Sequence, residues 1–341
     1  MPHFSIIIVS WNALHHLQEF LPSVVNSNYE SFEIILADNA SEDGSKQWVK
    51  QMYPGVKIAS FDQNYGYCGG NNRAVPYAEG EILIFLNNDV KVDSDWLSAL
   101  NNYFDTHDHV AAIQPKLRSY QEPEFFEYAG AAGGFIDKYG YPFCRGRIFD
   151  VVEKDEQQYD KASPIFWASG AALAIKKSVF EELGGFDEDF EFHMEEIDLC
   201  WRLWNHGHEV HYCPDSVVYH LGGGSLPMNS PRKTYYNYRN NLKMLWKNYE
   251  SGSLIWRFLL RLKLDGIAAC KELVSGNTKN FGAIFKAHIH FYKSWRKTHV
   301  KRKKLQDSRT VYSNPKTMFQ DSVVWQFFVS GKKTFSELKR E

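Results

Sequence analysis

The sequence lacks the cysteine pattern of a disulfide-stabilised domain or of a zinc knuckle. Its five cysteines are odd in number and include no C-x-x-C pair. Scattered thiols of this kind are typical of a reducing compartment, so we expect a cytoplasmic protein with free cysteines.

Long hydrophobic runs are missing as well. No stretch of about 18 apolar residues, the length that a transmembrane helix requires, occurs among the 341 residues. The residues before FSIIIVSWN include no basic segment and no small-residue cleavage site, so we expect no secretory signal. The hydrophobic fraction of 44% and the aromatic fraction of 16% nevertheless indicate a folded protein with a sizeable core.

Net charge is nearly absent, but the small total of −2 conceals an uneven distribution. Residues 232–306 contain 18 Lys and Arg against 3 Asp and Glu, a difference of +15, which leaves −17 for the rest of the chain. The sequence therefore predicts an acidic body with a basic C-terminal extension. A basic block of this kind can bind nucleic acid or an anionic membrane surface.

The first 120 residues alternate apolar runs with segments of helical length. The runs are rich in β-branched residues without polar alternation, as in strands buried on both faces of a mainly parallel sheet. This rhythm predicts an α/β protein with a doubly wound sheet. The five predicted strands are FSIIIVS, FEIILAD, VKIASF, ILIFLNN and VAAIQPKL, and the predicted helices are 15–28, 44–53, 69–78 and 94–105.

The rest of the chain is less regular. Residues 118–165 are first rich in Gly and Tyr and then acidic, which predicts an excursion or a flexible loop. ALAIKKSVF predicts a strand entering a helix, EEIDLCWRLWNHG a helix that ends at glycine, and EVHYCPDSVVYH a strand. From about residue 232 onward we expect helices.

Polar residues follow four successive predicted strands. In an open α/β sheet, functional side chains collect at the carboxyl ends of the strands, so these residues predict a binding site along one rim. The strand ends are Ser10-Trp11-Asn12, Asp38-Asn39-Ala40-Ser41, Asp62-Gln63-Asn64 and Asn87-Asn88-Asp89.

Six segments within about residues 3–245 resemble, in order and rough spacing, the motifs of family 2 glycosyltransferases. They are SIIIVSWN, ADNASEDGS, NYGYCGGNNRA, FLNNDV, GGFDEDFEFHMEEIDLCWR and VVYHLGGGS. Within that family the chain is most similar to bacterial rhamnosyltransferases of surface polysaccharide synthesis. The resemblance implies a GT-A fold, a nucleotide-sugar donor, a divalent cation and inversion at the anomeric carbon. It places a catalytic domain at residues 1–231, with its nucleotide-binding part at about 1–117, and a helical basic region at 232–341.

Asn87-Asn88-Asp89 lies where this family carries its DxD motif. Asp89 would bind Mg²⁺ or Mn²⁺, whereas Asn87 contributes no charge, so a second ligand is needed. The resemblance supplies His220, which precedes the glycine run Gly222–Ser225. The alternatives are a polar turn for the first segment and a structural role for the histidine.

Further residues are donor-site candidates by the same resemblance, with Asp38 as the nucleotide-base ligand. The alternatives are an Asx turn at Asp38 and a glycine-rich helix entry at residues 64–73. Trp167 could instead belong to the core, and Arg239 lies in a generally basic stretch. The predicted donor-binding residues are Ser10, Asn12, Asp38, Asn64, Gly70, Asn71, Arg73, Asn87, Asn88, Trp167, Gly170 and Arg239.

Glu195-Glu196 matches an acidic pair of the family at the start of a helix. An inverting transfer needs a carboxylate that removes the proton of the attacking acceptor hydroxyl. The resemblance assigns this role to the second residue, Glu196, with Glu195 as the competitor. Acidic residues are also favoured in the first turn of any helix, which is the structural alternative.

The basic region combines cations with large apolar residues at 254–274 and 286–305. Both stretches are typical of helices that lie on an anionic membrane, so we expect a peripheral protein at the inner face of the cell membrane. RNA binding and a simple solvated helical face are the alternatives. No nucleic-acid motif accompanies the charge, and we expect no nucleic-acid partner.

The sequence thus predicts a metal-dependent inverting glycosyltransferase acting on a glycan or lipid-linked acceptor, with dTDP-rhamnose as the donor suggested by the resemblance. A nucleotide-dependent oxidoreductase would need a G-x-G-x-x-G fingerprint after the first strand, where SWNALHHL stands. A non-catalytic nucleotide-sugar or lipid-glycan binding module is the remaining alternative, against which the acidic pair argues.

Overall fold

The computed structural model describes residues 3–222 and 230–338, which form a mixed α/β structure. Its strands are β1 (Phe4–Ser10), β2 (Phe32–Asp38), β3 (Lys57–Ser60), β4 (Ile82–Leu86), β5 (Val90–Val92), β6 (Val110–Ser119), β7 (Gly134–Asp137), β8 (Pro142–Cys144), β9 (Arg147–Ile148), β10 (Val151–Val152), β11 (Ser163–Pro164), β12 (Ala172–Lys176), β13 (Glu209–His220) and β14 (Met318–Phe319). Its helices are α1 (Leu14–Val25), α2 (Ser45–Met52), α3 (Gly66–Ala74), α4 (Trp96–Thr106), α5 (Lys177–Glu182), α6 (Glu195–Asn205), α7 (Pro231–Asn248), α8 (Ser251–Val274), α9 (Thr278–Ser308) and α10 (Val323–Phe328).

The large central sheet has the strand order β11-β13-β6-β12-β4-β1-β2-β3, and β5 pairs with the end of β13. Strands β1 to β4 are parallel, whereas β12 runs antiparallel to both of its neighbours, β4 and β6. Alternate residues of one strand enter different hydrophobic clusters: Ile7 packs in one and Ile6 and Ile8 in the other. Both sheet faces are therefore covered, which explains why these strands lack polar alternation.

Residues 118–165 are not a flexible loop. They supply strands of a second, smaller sheet with the order β10-β9-β8-β7-β14. Phe135, Phe143 and Ile148 of this sheet are buried in the larger of the two clusters. The strands are only two to four residues long, too short for a period-two pattern to be visible in the sequence.

The C-terminal region is helical from α7 to α9, as predicted, but it also returns to the body of the protein. Strand β14 joins β7 in the second sheet, and Leu245, Tyr249 and Val323 belong to the same hydrophobic cluster as that sheet. The proposed boundary between residues 231 and 232 stays a prediction. Within residues 3–222 and 230–338, no helix combines the length and the apolar character that crossing a membrane requires.

Candidate active site

The parallel arrangement of β1, β2 and β4 brings their carboxyl ends to one rim of the sheet. Ser10 pairs in register with Asp38, and β4 runs alongside β1 in the same direction. The turn Asn87-Asn88-Asp89 then connects β4 to β5. The predicted rim is therefore present, and the polar stretch after β4 is a turn that also lies within a candidate site.

Asp89 and His220 are brought together by the pairing of β5 with β13. Val90 lies opposite His220 in this antiparallel pair, and the amide of Leu221 donates a hydrogen bond to the carbonyl oxygen of Asp89. Oδ1 of Asp89 is consequently 3.1 Å from Nε2 of His220, and both side chains are buried. Nδ2 of Asn87 lies 3.4 Å from the same ring nitrogen.

Glu127 completes this cluster from the opposite side of the imidazole ring. Its Oε1 is 3.2 Å from Nδ1 of His220, and its Oε2 accepts a hydrogen bond from the amide of Ala129. Burial alone would lower the pKa of His220, but Glu127 and Asp89 outweigh it and raise the pKa to about 10. Burial would likewise raise the pKa of Asp89, yet the hydrogen bond and charge of His220 bring it below its usual value.

These groups fit a divalent cation. A carboxylate oxygen and an imidazole nitrogen 3.1 Å apart are a plausible ligand pair, and a carboxylate behind the histidine ring is the usual partner that orients a ligating histidine. His220 lies between the two buried carboxylates, with Nε2 toward Asp89 and Nδ1 toward Glu127. Of the glycine run that follows His220, Gly223, Gly224 and Ser225 lie outside the described residues.

Buried polar side chains lie at the ends of β1 and β2. Ser10 Oγ, Asp38 Oδ2 and Asn39 Oδ1 are all buried and have no hydrogen-bond partner. Because such groups are costly to leave unsatisfied, they indicate a place for a polar ligand. Asp38 Oδ1 accepts a hydrogen bond from the amide of Ser41, and Oδ2 lies 3.8 Å from Nζ of Lys46. Trp11, with 55% of its surface exposed, directly follows Ser10 in the chain.

Asn12 shapes the loop that follows β1. Its backbone is left-handed, with φ of 50°, and its Oδ1 accepts a hydrogen bond from the amide of Glu42. Its own amide donates to Oγ of Ser41. The side chain of Asn12 thus ties the loop after β1 to the loop after β2.

Glu195 and Glu196 begin α6, as predicted. Burial raises the pKa of Glu195 well above its usual value, and the neighbouring Glu196 adds to the shift. Burial also raises the pKa of Glu196, to about 7. Glu195 is almost fully buried whereas Glu196 is half-buried, and one carboxylate oxygen of each lacks a hydrogen-bond partner.

Gly170 lies directly in front of this pair. A Cβ atom at Gly170 would be 3.0 Å from the hydroxyl of Tyr67 and 3.8 Å from Cβ of Glu196. The Tyr67 hydroxyl donates a hydrogen bond to the carbonyl of Gly170, and burial, with the charges of Glu195 and Glu196, raises its pKa well above the usual value. The absence of a side chain at Gly170 lets the Tyr67 hydroxyl approach next to the acidic pair.

The two halves of the site adjoin the same short segment, Gly170-Ala171. The amide of Asn87 donates a hydrogen bond to the carbonyl of Ala171, and a Cβ atom at the neighbouring Gly170 would be 3.8 Å from Cβ of Glu196. A family model described as glycosyl transferase family 2 matches residues 5–184. The chain belongs to glycosyl transferase family 2.

Similar proteins agree with this assignment. An N-acetylglucosaminyl-diphospho-decaprenol L-rhamnosyltransferase of Mycobacterium tuberculosis is 26% identical over 78% of this chain and 91% of its own length. The rhamnosyltransferase WbbL of Escherichia coli is 26% identical over 61% of this chain and 80% of its own length. The mannosyltransferase PcManGT of Pyrobaculum calidifontis, solved with GDP-Man and Mn²⁺, has a TM-score of 0.53 at 15% identity, covering 90% of this chain and 86% of that one. The enzyme has the GT-A fold.

Several predicted donor ligands of this family 2 glycosyltransferase are engaged within the protein. Asn64 Oδ1 accepts from the amide of Gly66, and Asn71, fully buried, donates to the carbonyl of Tyr67. Arg73 pairs with Glu188 at 2.9 Å. These contacts stabilise α3 and its surroundings, and the donor-binding role of the three residues stays a prediction.

Gly70 and Trp167 have packing roles in the glycosyltransferase. A Cβ atom at Gly70 would lie 2.9 Å from Asn39 Nδ2, so glycine allows α3 to approach the end of β2. The Trp167 indole is buried, donates to the carbonyl of Phe135 at 2.8 Å and covers Gly134. Another predicted donor-binding residue, Asn88, contacts a histidine: its Oδ1 lies 3.4 Å from Nδ1 of His16. The alternative reading of Trp167 as a core residue is the one this geometry favours.

Arg239 contacts the loop that precedes the acidic pair. It is buried and forms an ion pair of 2.9 Å with Glu191, in the loop that precedes α6. The adjacent Asn240 donates from Nδ2 to the carbonyls of Phe190, Phe192 and His193. Together they hold the loop that leads into Glu195 and Glu196.

The sequence interpretation missed Glu127, Tyr67 and Lys233. Lys233 lies in the first turn of α7, with Nζ 5.4 Å from the centre of the ring of Tyr128, the residue that follows Glu127. Burial lowers the pKa of His193 to about 4, and the charge of Lys233 contributes. No local pattern identifies any of these three residues, because each acts through a partner far away in the chain.

Proposed function

We propose that the enzyme transfers a sugar from a nucleoside-diphosphate donor, for which we favour dTDP-rhamnose, to a hydroxyl of a glycan or lipid-linked acceptor, with inversion at the anomeric carbon. The names of the relatives support rhamnose and a lipid-diphosphate acceptor. The observation that carries the proposal is that Gly170-Ala171 adjoins both halves of the site: Ala171 accepts a hydrogen bond from the amide of Asn87, and Gly170 lies next to Glu196.

The donor would bind along the rim of the sheet. The orphaned oxygens of Ser10 and Asp38 suit the polar edge of a nucleotide base, and the exposed ring of Trp11 suits its flat face. Asp89 and His220 would hold a Mg²⁺ or Mn²⁺ ion, and Lys233 would add a positive charge beside the diphosphate. When bound, the cation supplies charge neutralisation to the diphosphate leaving group.

Glu196 would remove the proton of the acceptor hydroxyl. A general base works best when its pKa lies near the operating pH, and the pKa of Glu196 is raised to about 7. Glu196 is also the more exposed of the two acids and adjoins Gly170. Glu195, buried and with its pKa raised much further, is better suited to remain protonated and brace its neighbour.

A panel of nucleotide sugars, scored by thermal stabilisation with and without Mn²⁺, tests the donor site. One donor should raise the Tm only with the cation, and Asp89→Asn should abolish that rise. Asp95→Asn, which removes a surface carboxylate bonded to Asn28, is the matched control and should behave as the wild type. Failure of every donor, with or without metal, would refute the proposed donor site.

Turnover separates an enzyme from a binding module. Glu196→Gln should retain cation-dependent donor binding and lose transfer, measured as labelled sugar on a polyprenyl-diphosphate N-acetylglucosamine acceptor. Unchanged transfer in Glu196→Gln together with lost transfer in Glu195→Gln would assign the base to Glu195. Donor binding without transfer in the wild type, across acceptors, would favour the non-catalytic alternative.

We also propose that α8 lies on the anionic inner face of the cell membrane. Its residues at helical spacing form one exposed apolar stripe, while Leu254 and Phe258 pack on the opposite face. Trp256 is 66% exposed and Val274 is 88% exposed. The stripe consists of Trp256, Leu259, Ile267, Cys270 and Val274, with Lys263 in the same row.

The charge of the region favours lipid over a second protein copy as the occupant of this stripe. Within α8, Lys263 and Lys271 are exposed, whereas Arg261 and Asp265 pair with each other inside the protein. A second copy of this cationic face would be repelled, whereas anionic headgroups would be attracted. Aromatic rings of the Trp256 type prefer the headgroup zone, and an apolar face can enter it without spanning the bilayer.

Sedimentation with vesicles tests this surface. The protein should sediment with phosphatidylglycerol vesicles at low salt and much less with phosphatidylcholine vesicles, and Trp256→Glu should weaken the binding at least several-fold. Tyr77→Glu changes an aromatic residue of comparable exposure (48%) outside α8 and should have no effect. Equal loss in both variants, or a concentration-dependent dimer dispersed by Trp256→Glu, would contradict membrane docking.

A further inference from the structure

Two histidines and a glutamate meet at the end of β13 opposite to His220. His109 directly precedes β6, and Glu209 and His211 lie at the start of β13, which runs parallel to β6. The partners of His211 and His220 in β6, Ile113 and Ser119, are six residues apart, so at about 3.3 Å per residue along a strand the two histidines are roughly 20 Å apart. The group is therefore separate from the candidate active site, and the function proposed above does not depend on it.

The three side chains converge on one another. Oε2 of Glu209 is 2.7 Å from Nε2 of His211 and 3.6 Å from Nε2 of His109. The three ligand atoms all lie within 4.8 Å of one another. Ligands bonded to zinc at about 2.0–2.1 Å in a tetrahedron are roughly 3.4 Å apart, so only small side-chain adjustments separate this arrangement from a coordinating one.

The surroundings already orient the buried member of the group. The Tyr103 hydroxyl lies 2.8 Å from Nδ1 of His211, which leaves Nε2 directed at Glu209. A hydrogen bond at the far nitrogen is the usual device that orients a ligating imidazole. The ring of His107 stacks on Tyr103 with centroids 4.1 Å apart and lies 6.1 Å from the His109 ring, so a further imidazole borders the open side.

We propose that His109, Glu209 and His211 bind a zinc-class divalent ion. Two imidazoles and one carboxylate suit Zn²⁺ better than Mg²⁺ or Mn²⁺, which prefer oxygen ligands. The ion would connect the loop after α4 to the start of β13, two segments about a hundred residues apart in the chain. It would be a clip that stabilises this end of the sheet and takes no part in donor binding.

Zinc titration of the full-length, chelator-treated protein tests the site. Competition with a chromophoric chelator should show Zn²⁺ bound and a higher Tm, which Mg²⁺ at the same concentration does not produce. His109→Gln changes an exposed ligand, so the fold should persist while Zn²⁺ binding at this site weakens at least tenfold. His208→Gln is the matched control, because His208 faces only Glu182, at 3.8 Å.

Asp89→Asn identifies zinc that binds in the candidate active site. If Asp89→Asn keeps the zinc-dependent rise in Tm and His109→Gln loses it, the proposal is supported. Zinc binding that His109→Gln leaves unchanged, or that Asp89→Asn alone removes, would overturn it. No zinc binding to the wild type at 100-fold excess over protein would overturn it equally.

Discussion

Replacement of Asn240 should slow transfer without weakening donor binding. This amide, fully buried in α7, donates to the carbonyls of Phe190, Phe192 and His193 at 2.7, 2.6 and 2.9 Å. An amide has two protons, so two full hydrogen bonds are shared among three acceptors. At about 1 kcal/mol each, with a further 1–3 kcal/mol for a buried carbonyl left unpaired, Asn240→Ala removes about 3–5 kcal/mol of support from the loop.

The loop needs that support because its backbone is strained. Glu191, His193 and Met194 have left-handed φ values of 61°, 64° and 74°, and each non-glycine residue in that region costs about 1 kcal/mol or more. Strain of about 3 kcal/mol is therefore comparable with what Asn240 contributes. Once the amide is gone, Arg239 and Tyr236 still hold Glu191, but the carbonyls of Phe192 and His193 lose their donor, and the start of α6 should leave the reactive geometry in most molecules.

The expected result is a 10- to 100-fold lower kcat with an unchanged donor KM, measured in the sugar-transfer assay. Asn241→Ala is the matched control, because this neighbouring buried amide donates to Gly140 on a different element. Both variants should lose thermal stability, but only Asn240→Ala should lose kcat. Equal kcat losses in the two variants, at equal losses of Tm, would refute the positioning argument.

Three further predictions concern the pH dependence, the cation and the core. The pKa of Glu196 is raised to about 7, so its active ionised form is lost as pH falls. We therefore expect kcat to decrease about tenfold per pH unit below pH 6 and to level off above pH 8. A flat profile between pH 5 and 8 would count against this base. Glu127→Gln, which removes the charge behind His220, should weaken Mn²⁺ affinity about 10- to 100-fold, measured by the Mn²⁺ dependence of donor binding, and unaltered affinity would dismiss its orienting role. Gly134→Ala places a Cβ atom 2.1 Å from an indole ring and should reduce the free energy of unfolding by about 1–3 kcal/mol, whereas Gly55→Ala, with nothing within 4 Å, should leave the Tm nearly unchanged.

The central sheet could be predicted because each strand is a continuous apolar run of the length of one strand. A strand that is buried on both faces has no alternation of polar and apolar residues, and the sequences of these strands show none. The second sheet could not be predicted in the same way. Its strands β8 to β10 have two or three residues each, and β14 comes from residues 318–319, far from its partner β7 in the chain.

The candidate site divides along a similar line. Asp89 and the acidic pair were found because they stand at the end of a strand and at the start of a helix, where local pattern and family resemblance coincide. Glu127 was not found, because its relation to His220 exists only after the segment beyond β6 folds back on the rim. Residues that orient another side chain in this way have no local sequence pattern, because their role depends on a partner that is distant in the chain.

A count of charges does not by itself show which cations of the basic region are paired inside the protein and which face solvent. Part of its excess of cations is used inside the protein: Lys247 and Lys301 pair with Asp187 at 2.7 and 2.5 Å, and Lys301 also reaches Asp189. These contacts fix the segment just before the strained loop, so α7 and α9 serve the acidic pair. α8 turns an apolar, cation-flanked face outward, represented by Trp256, and α9 also exposes Phe285 and Tyr292 among its lysines. The same run of positive charge therefore divides by helix face, because inward-facing cations support the candidate active site and outward-facing ones are available to lipid.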